Sequence, residues 1–359
     1  MTKWKTYKLS DITIMRNGKK RPQTQGVFPV YGGNGIMDYA DCFNAENTII
    51  VGRVGAYCGN VYQCKGKCWV SDNAISVSAN ELVDDNYLYY LMSSLDFHHH
   101  HIGGAQPLMT QDIIGGFEVS LPPLEEQRRI AGILGTIDDK IENNRRINNN
   151  LEQQAQALFD EWFVNDSTQP AEYNRASLTD IANYLNGLAM QRFRPQSDEK
   201  AIPVLKIKEL GQGVCDSSSD ICSQSIDSKY IVNDGDIIFS WSGTLLVDIW
   251  CGGICGLNQH LFKVTSDKYP KWFVYYWTKY HLAKFIRIAK DKAVTMGHIK
   301  RGDLETSEVL IPNAEILSKM DNIIAPIFDA IISRRVENKT LATLRDTLLP
   351  KLMNGEIKL

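Results

Sequence analysis

Two long stretches of the chain repeat apolar residues at alternating spacings of four and three, as helices that pack on other helices do. In residues 122–165 this pattern predicts a helix from about Leu124 to Trp162. Its seam positions are Ile130, Leu134, Ile137, Ile141, Leu151, Ala155, Leu158 and Trp162, with Asn144 and Asn148 in the two middle positions. In residues 312–359 the seam positions are Met320, Ile324, Ile327, Ile331, Arg334, Asn338, Leu341, Arg345, Leu348 and Leu352.

Neither amphipathic helix could bury its apolar stripe alone, so we expect the two helices to pack on each other, most simply antiparallel. Both seams are polar at the same two middle positions. These side chains are either solvated or pair across the seam and fix its register. Pro326 falls inside the second pattern and predicts a kink or an interruption of that helix.

The rest of the chain, residues 1–121 and 166–311, is rich in glycine, aromatic and β-branched residues, which is typical of short strands between turns. The pattern predicts strands at residues 48–51, 74–77, 236–239 and 260–264, and helices at residues 87–95 and 272–288. Each glycine-rich segment is followed by one of the long helices, which begins just after Pro123 or Pro312.

The two halves of the chain also match in sequence. The run KLSDI at residues 8–12 matches SLTDI at residues 177–181, and each is followed by Asn-Gly. The run TIIVGRVG at residues 48–55 matches DIIFSWSG at residues 236–243, and Leu121-Pro122 matches Ile311-Pro312. Because several matches occur in the same order, we infer an internal duplication whose second copy carries longer loops.

Composition narrows the possible classes of protein. The chain has 359 residues, 43% of them hydrophobic and 23% charged, so it is long enough for two or three folded domains. It contains no apolar run that could span a bilayer and no signal-peptide core, so we expect no membrane association and a cytoplasmic location. Eight cysteines are too dilute for a disulfide framework.

Strong catalytic motifs are missing. The sequence has no phosphate-binding loop, no dinucleotide fingerprint, no nucleophile elbow, no zinc-protease motif and no amino-methyltransferase tetrad, so we predict no catalytic residues. Cys42, Cys58, Cys64 and Cys68 could supply four thiolates to zinc, but the second copy lacks counterparts of the first two. We expect buried, inert thiols and no metal. The run at residues 98–101 is four histidines: either a solvated helix end or a loop near phosphates.

Net charge is −3, so an argument for nucleic-acid binding must rest on local patches. Residues 1–21 carry seven basic residues against one acidic residue, and residues 263–301 carry ten against two. Cations in such patches bind phosphates, whereas forked donors and acceptors in loops read base edges. The candidate DNA-binding residues are Arg16, Lys19, Lys20, Arg21, Asn34, Arg53, Tyr57, His99, Gln106, Gln191, Arg192, Arg194, Trp241, Ser242, Thr244, Gln259, His260, Lys290, Lys292, His298 and Lys300.

A family resemblance joins these features. The duplicated layout and the run LPPLEEQRRIA at residues 121–131, which opens the first long helix, resemble the specificity subunit of type I restriction-modification systems. The resemblance covers essentially the whole chain. The second copy departs from it at residues 311–316, where IPNAEI replaces the motif.

The resemblance implies an α+β chain with two pseudo-symmetric α/β target recognition domains, residues 1–121 and 166–311, separated by two spacer helices, residues 122–165 and 312–359, that form an antiparallel coiled coil. Each domain would bind one half of a bipartite site in double-stranded DNA. The helices would set the spacing and dock two methyltransferase subunits and, through them, restriction or translocase subunits. S-adenosylmethionine, and ATP with magnesium, would be bound by those partners and not by this chain. The implied docking and spacer residues are Ile130, Leu134, Ile137, Ile141, Asn144, Asn148, Leu151, Leu158, Ile324, Ile327, Ile331, Arg334, Asn338, Leu341 and Leu348.

Two other classes of function remain open from the sequence. The chain could be an enzyme whose motif is not recognised, or a duplicated protein-interaction scaffold that does not read DNA. The acidic overall charge favours the scaffold, whereas the two basic patches favour DNA. A steep dependence of DNA affinity on salt would separate them, since phosphate contacts release counterions.

Overall fold

The computed structural model describes residues 4–103, 107–165, 173–291, 297–357 and 359. The chain forms two compact units. Unit 1 consists of Met1–Lys140 and Leu341–Leu359, and unit 2 consists of Ile141–Thr340. Each unit therefore contains one glycine-rich segment and parts of both long helices.

Unit 1 is built on a six-stranded sheet with the strand order β2-β7-β5-β6-β3-β4. The central strand β5 is buried at Ile49, Ile50 and Val51 because neighbours cover it on both sides. Neighbouring strands are antiparallel except β3 and β6, and β1 pairs with β8 in a separate ribbon. The strands and helices of this part are β1 (Lys5–Lys8), α1 (Leu9–Ile12), β2 (Thr13–Asn17), β3 (Phe28–Gly32), β4 (Gly35–Ala40), β5 (Ala45–Gly52), β6 (Val61–Val70), β7 (Ala74–Ala79), α2 (Asp85–Ser93), α3 (Gln111–Gly115), β8 (Glu118–Leu121) and α4 (Leu124–Phe163).

Unit 2 also has a two-stranded ribbon and parts of the two long helices, but its other strands are divided between two four-stranded sheets. One sheet has the order β10-β17-β14-β15, the other has the order β12-β11-β16-β13, and β9 pairs with β18. The strands and helices are β9 (Asn174–Ser177), α5 (Leu178–Ile181), β10 (Asn183–Asn186), β11 (Ala201–Leu205), α6 (Ile207–Gln212), β12 (Ile221–Ser223), β13 (Ile231–Val232), β14 (Ile237–Ser240), β15 (Leu246–Ile249), β16 (Cys255–Leu257), β17 (Leu261–Thr265), α7 (Lys271–Tyr280), α8 (Leu282–Asp291), α9 (Arg301–Glu305), β18 (Glu308–Ile311) and α10 (Ala314–Met353). The single helix predicted at residues 272–288 is thus two helices, α7 and α8.

The predicted long helices are confirmed as α4 and α10, each of 40 residues and therefore about 60 Å long. The predicted interruption at Pro326 is wrong, because α10 continues through it. A proline removes one backbone hydrogen bond from a helix. Here Ile324 and Phe328, on either side of Pro326, are both buried in the core of unit 2, and their packing offsets that loss.

Asparagines join the two helices across the seam within unit 2. The Asn144 side chain is only 1% exposed. Its Nδ2 donates to Asn338 Oδ1 at 2.9 Å and to Glu337 Oε2 at 2.7 Å. Asn338 Nδ2 donates to the Ile141 carbonyl, and Asn148 Nδ2 donates to the Ile331 carbonyl. As the residue numbers increase along α4, the numbers of the residues that they contact decrease along α10. The predicted antiparallel pairing is therefore confirmed, and so is the pairing of polar groups across the seam.

The predicted seam differs from the structure at two positions of α10. Arg334 does not pair across the seam, because its Nη1 donates to the Ala330 carbonyl of its own helix. Ile327 is half-buried, whereas the neighbouring Phe328 is only 2% exposed and packs against Tyr275 of α7. Because α7 also covers this part of α10, the buried face there is wider than a two-helix seam.

Arginines of α10 connect the helix pair to each unit. In unit 2, Arg335 contacts Glu152 Oε1 of α4 and Asp248 Oδ1 of β15, both at 2.8 Å. Burial disfavours its charged form, yet the two carboxylates raise the Arg335 pKa above its ordinary value. In unit 1, Arg345 contacts Asp138 of α4 at 2.8 Å, and the Tyr90 hydroxyl of α2 donates to the same carboxylate.

The described residues contain no helix of the length and apolar character that a bilayer crossing requires. The long helices instead place their apolar residues on one side. In unit 1, Ile130, Leu134 and Leu352 join the same core as the sheet and α2. In unit 2, Ala155, Phe159 and Phe328 join the core built around α7.

We predict that Arg335→Ala lowers the free energy of unfolding by about 1–3 kcal/mol, since it leaves two carboxylates without their cation. This is below the roughly 3–5 kcal/mol lost when a fully buried pair is broken. The discount reflects side chains that are 26% to 36% exposed. Urea denaturation measures the change.

Arg334→Ala is the matched control, because among the described residues the Arg334 side chain bonds only to its own helix. It should change the free energy of unfolding by less than about 0.5 kcal/mol. Equal losses for the two variants would contradict the assigned role of Arg335.

Candidate nucleic-acid interface

The same backbone hydrogen bonds hold together the loops at one end of the sheet in each unit. In unit 1, Gly18 N donates to the Ala74 carbonyl and Lys19 N donates to the Val70 carbonyl, both at 3.0 Å. In unit 2, the equivalent bonds run from Gly187 N to Leu261 and from Leu188 N to Leu257, also at 3.0 Å. The turn that follows β2 or β10 is thus fixed to the turn that precedes β7 or β17.

A second matched pair of bonds fixes the turn after β5 or β14. Gly55 N donates to the Pro107 carbonyl and Met109 N donates to the Arg53 carbonyl in unit 1. In unit 2, Gly243 N donates to the Gly297 carbonyl and Ile299 N donates to the Trp241 carbonyl. The Gly33 backbone also lies beside Val54 and Asn73. We call the loops of unit 1 loop cluster 1 (residues 17–20, 33–34, 53–57, 71–74 and 107–111) and those of unit 2 loop cluster 2 (residues 186–188, 240–244, 257–261 and 297–300).

Glycine is required where the turns cross. A Cβ atom on Gly18 would lie 1.9 Å from the Ser71 carbonyl oxygen, and one on Gly187 would lie 2.3 Å from the Asn258 carbonyl oxygen. No side chain fits at these distances. The repeated Asn-Gly in the sequence therefore marks the closest approach of two loops in each unit.

Loop cluster 1 presents mostly exposed polar side chains. Lys19, Lys20, Asn34 and Tyr57 are exposed. Arg53 is half-buried, and its Nε atom is buried without a hydrogen-bond partner among the described residues. This end of unit 1 could therefore supply both cations and forked donors to a ligand.

The other candidates of unit 1 lie beside this cluster or outside the described residues. Arg16 is exposed within β2, and Arg21 forms an ion pair with Asp38. His99 is exposed and its Nδ1 contacts the Asp96 carboxylate at 2.7 Å. The turn at residues 98–100 lies beside the end of cluster 1, because His98 Nδ1 contacts the Cys58 carbonyl at 3.1 Å. The candidate Gln106 lies outside the described residues.

Loop cluster 2 contains a chain of side-chain hydrogen bonds. Ser242 Oγ lies 3.0 Å from His260 Nδ1, and Gln259 Nε2 lies 3.3 Å from His260 Nε2. Trp241 Nε1 donates to Asn186 Oδ1 at 2.9 Å. Ser242 is only 3% exposed, and its hydroxyl faces His260. Any effect of Ser242 on a bound ligand is therefore indirect and runs through His260. Thr244, at the edge of the cluster, is exposed.

The remaining candidates of unit 2 lie within this cluster or beside it. Gln191, Arg192 and Arg194 are exposed on the turn after β10, and Gln191 and Arg194 line a surface cavity of about 540 Å³ that Asn258 also lines. Lys290, His298 and Lys300 are exposed near the two ends of residues 292–296. Lys292 itself lies outside the described residues.

The candidate set missed several polar residues that the structure places in the clusters: Asn17, Asp72, Asn73, Gln111, Asn186 and Asn258. Gln111 Nε2 donates to Asn17 Oδ1 at 3.0 Å. Asn186 is the residue of unit 2 that is equivalent to Asn17, and its Oδ1 accepts from Trp241 Nε1. The repeated Asn-Gly pair was the signal that could have identified both asparagines. No local pattern indicates residues 71–73, because only the folded sheet brings their turn beside Gly18.

The cysteines do not assemble in one place. Cys64 and Cys68 are buried within β6, and Cys58 is buried near the turn after β5. Burial raises the pKa of the Cys58 thiol and raises that of Cys251 to about 11, which keeps both protonated at neutral pH. Within the described ranges, no three His, Cys, Asp or Glu side chains are arranged to hold a metal ion.

Comparison with known proteins gives consistent matches. The family model described as "Type I restriction modification DNA specificity domain" matches residues 1–153 and 170–345. The type I restriction enzyme MjaIX specificity subunit of Methanocaldococcus jannaschii is 29% identical over 77% of this chain and 70% of its own. The HindI specificity subunit of Haemophilus influenzae is 22% identical over 71% of this chain and 72% of its own.

One solved structure has the same fold over nearly the whole chain. The crystal structure of the S subunit of a type I restriction-modification system from M. genitalium superposes with a TM-score of 0.66 at 15% identity. The match covers 98% of this chain and 96% of that one. The arrangement of two α/β domains with two long helices is thereby confirmed.

We predict that Gly187→Ala lowers the free energy of unfolding by about 1–3 kcal/mol, because the added methyl group overlaps the Asn258 carbonyl. The displaced loops should also weaken DNA binding. Urea denaturation and a fluorescence binding titration measure the two effects. Gly302→Ala is the control, since a Cβ there meets nothing within 4 Å. A destabilised variant with unchanged DNA affinity would contradict the assignment of loop cluster 2 to binding.

Proposed function

The chain belongs to the type I restriction-modification DNA specificity family, and we propose that unit 1 and unit 2 each bind one half of a bipartite DNA site. The observation that carries this proposal is the matched pair of loop clusters. Both rest on the same backbone hydrogen bonds, yet their side chains differ. Two similar but non-identical readers suit a site whose halves differ in sequence.

The charges around the clusters support double-stranded DNA as the ligand. Lys19 and Lys20 are exposed in cluster 1, Lys300 is exposed in cluster 2, and Lys290 is exposed near cluster 2. Each cation that meets a phosphate adds affinity by releasing counterions, without reading sequence. The amides and imidazoles between these cations offer the donors and acceptors that base edges require.

We further propose that the helix pair docks two methyltransferase subunits at equivalent patches. Ile133 of α4 is 39% exposed and Ile323 of α10 is 50% exposed. Each isoleucine lies twelve residues after the matched Leu121 or Ile311. A partner that contacts one of these isoleucines could contact the other in the same way, because the two positions are equivalent in the duplicated chain. The seam residues beneath them would act by holding the helices rather than by touching the partner.

Catalysis belongs to those partners in this proposal. Methyltransferase subunits would bind S-adenosylmethionine, restriction subunits would use ATP and magnesium, and this chain would contribute recognition in the cytoplasm. The exposed cations and polar loops support this adaptor role over a scaffold that ignores DNA.

We predict that replacing the cluster 1 loops between Arg16 and Arg53 with those of another family member changes only one half of the recognised sequence. Gly18 and the buried strand residues stay unchanged, so that the supporting backbone is kept. Genome-wide mapping of methylated sites in a host that carries the variant gives the motif. The same exchange in cluster 2 is the control and should change the other half. Changes in both halves from one exchange would refute two separate readers.

We also predict that inserting about four residues, roughly one helical turn, into the middle of α4 changes the unread spacer and leaves both half-sites unchanged. The physical reason is that α4 and α10 run without a break from one unit into the other. The same insertion after Asp198, in an exposed loop of unit 2, is the control and should leave the spacer unaltered. A spacer that stays constant with the helix insertion would rule out the helices as its determinant.

A further inference from the structure

Equivalent positions in the two loop clusters carry different side chains on the same backbone. In unit 2 the Asn258 side chain accepts from His260 N at 3.2 Å, and in unit 1 the Ser71 hydroxyl accepts from Asn73 N at 3.4 Å. These bonds and the matched backbone bonds show which positions of the two units are equivalent. Arg53 corresponds to Trp241, Val54 to Ser242, Asp72 to Gln259, and Asn73 to His260. The two units therefore carry different side chains on a common backbone support.

In unit 2, three of these side chains form an ordered chain. The Gln259 Nε2 atom can only donate, so His260 Nε2, at 3.3 Å, must accept. The imidazole proton then lies on Nδ1, which donates to Ser242 Oγ at 3.0 Å. Ser242 is buried, and its backbone is fixed by the pairing of residue 242 with His298. A buried hydroxyl on a backbone held by this bridge thus determines the orientation of the imidazole.

The imidazole in turn determines which atoms Gln259 can offer to a ligand. One N–H of its amide is used by His260, which leaves the second N–H and the carbonyl oxygen. Within the described residues Gln259 makes no other side-chain hydrogen bond. An N–H donor beside a carbonyl acceptor is the pair that matches N7 and the N6 amino group of adenine in the major groove.

We propose that Gln259 reads an adenine in the half-site bound by unit 2, with His260 and Ser242 as positioning residues. This inference rests on the proposed DNA function. The contact is specific to one half-site, because Val54 at the position of Ser242 has no hydroxyl that could orient a neighbour. Trp241 flanks the imidazole with its ring centroid 6.1 Å away, and this further limits its rotation.

The test uses the chain assembled with its methyltransferase subunits. Competition binding is measured against duplexes in which each base pair of the unit 2 half-site is varied in turn. Gln259→Ala should reduce the preference for adenine at one position by about 5- to 150-fold. Gln259→Glu should shift that preference to cytosine, whose amino group donates to a carboxylate.

His260→Ala and Ser242→Ala should weaken the preference at the same position and leave every other position unchanged. A merely structural role would instead lower the affinity for all duplexes alike. The matched control is Asp267→Asn. This exposed residue follows the other end of β17, so that variant should keep the preference of the unaltered complex.

Two results would overturn the proposal. If the Gln259 variants bind every duplex more weakly by one common factor, Gln259 does not read a base, although the two-reader function survives as long as the unaltered complex still discriminates. If the unaltered complex shows no preference among the duplexes, both this assignment and the proposed function fail.

Discussion

The structure depends on two buried asparagines whose side-chain nitrogens donate to the opposite helix. A buried amide without partners is costly, so Asn144 and Asn148 tie α4 to α10 in one register. Buried apolar residues such as Ile141 and Ile331 also stabilise the pair, but apolar burial is non-directional and does not by itself exclude a shift of one helix along the other. The hydrogen bonds of the two asparagines exclude such a shift.

From that constraint the two ion clusters follow. Arg335 reaches Glu152 and Asp248 only in this register, and Arg345 reaches Asp138 only in the same one. Each arginine thereby connects the helix pair to the strands or helices of one unit. In the proposed function, this connection would transmit the geometry of the helices to the loop clusters, whose own shape is fixed by the glycines at the turn crossings.

Much of this could be predicted from the sequence, because the heptad pattern and the repeated runs are local signals. The bounds of α4, the antiparallel seam and the exposed loops with Lys19 and Asn34 all follow from them. Pro326 and Phe328 could not be placed correctly, because α7 covers α10 there and no pattern in α10 announces it. Residues 71–73 and 258 were missed for the same kind of reason: they join the candidate site through sheet pairing between distant segments. Whether any of these side chains touches DNA remains a prediction.

The division of the chain into a continuous and a split unit has a consequence for its biosynthesis. Unit 2 is complete once Thr340 has been translated and has left the ribosome, whereas the core of unit 1 includes Leu352 and Met353. The nascent amino-terminal sheet must therefore wait, partly unsealed, for the last turns of α10. During that interval its apolar face stays exposed, so unit 1, whose sheet is translated before unit 2, completes its core after unit 2.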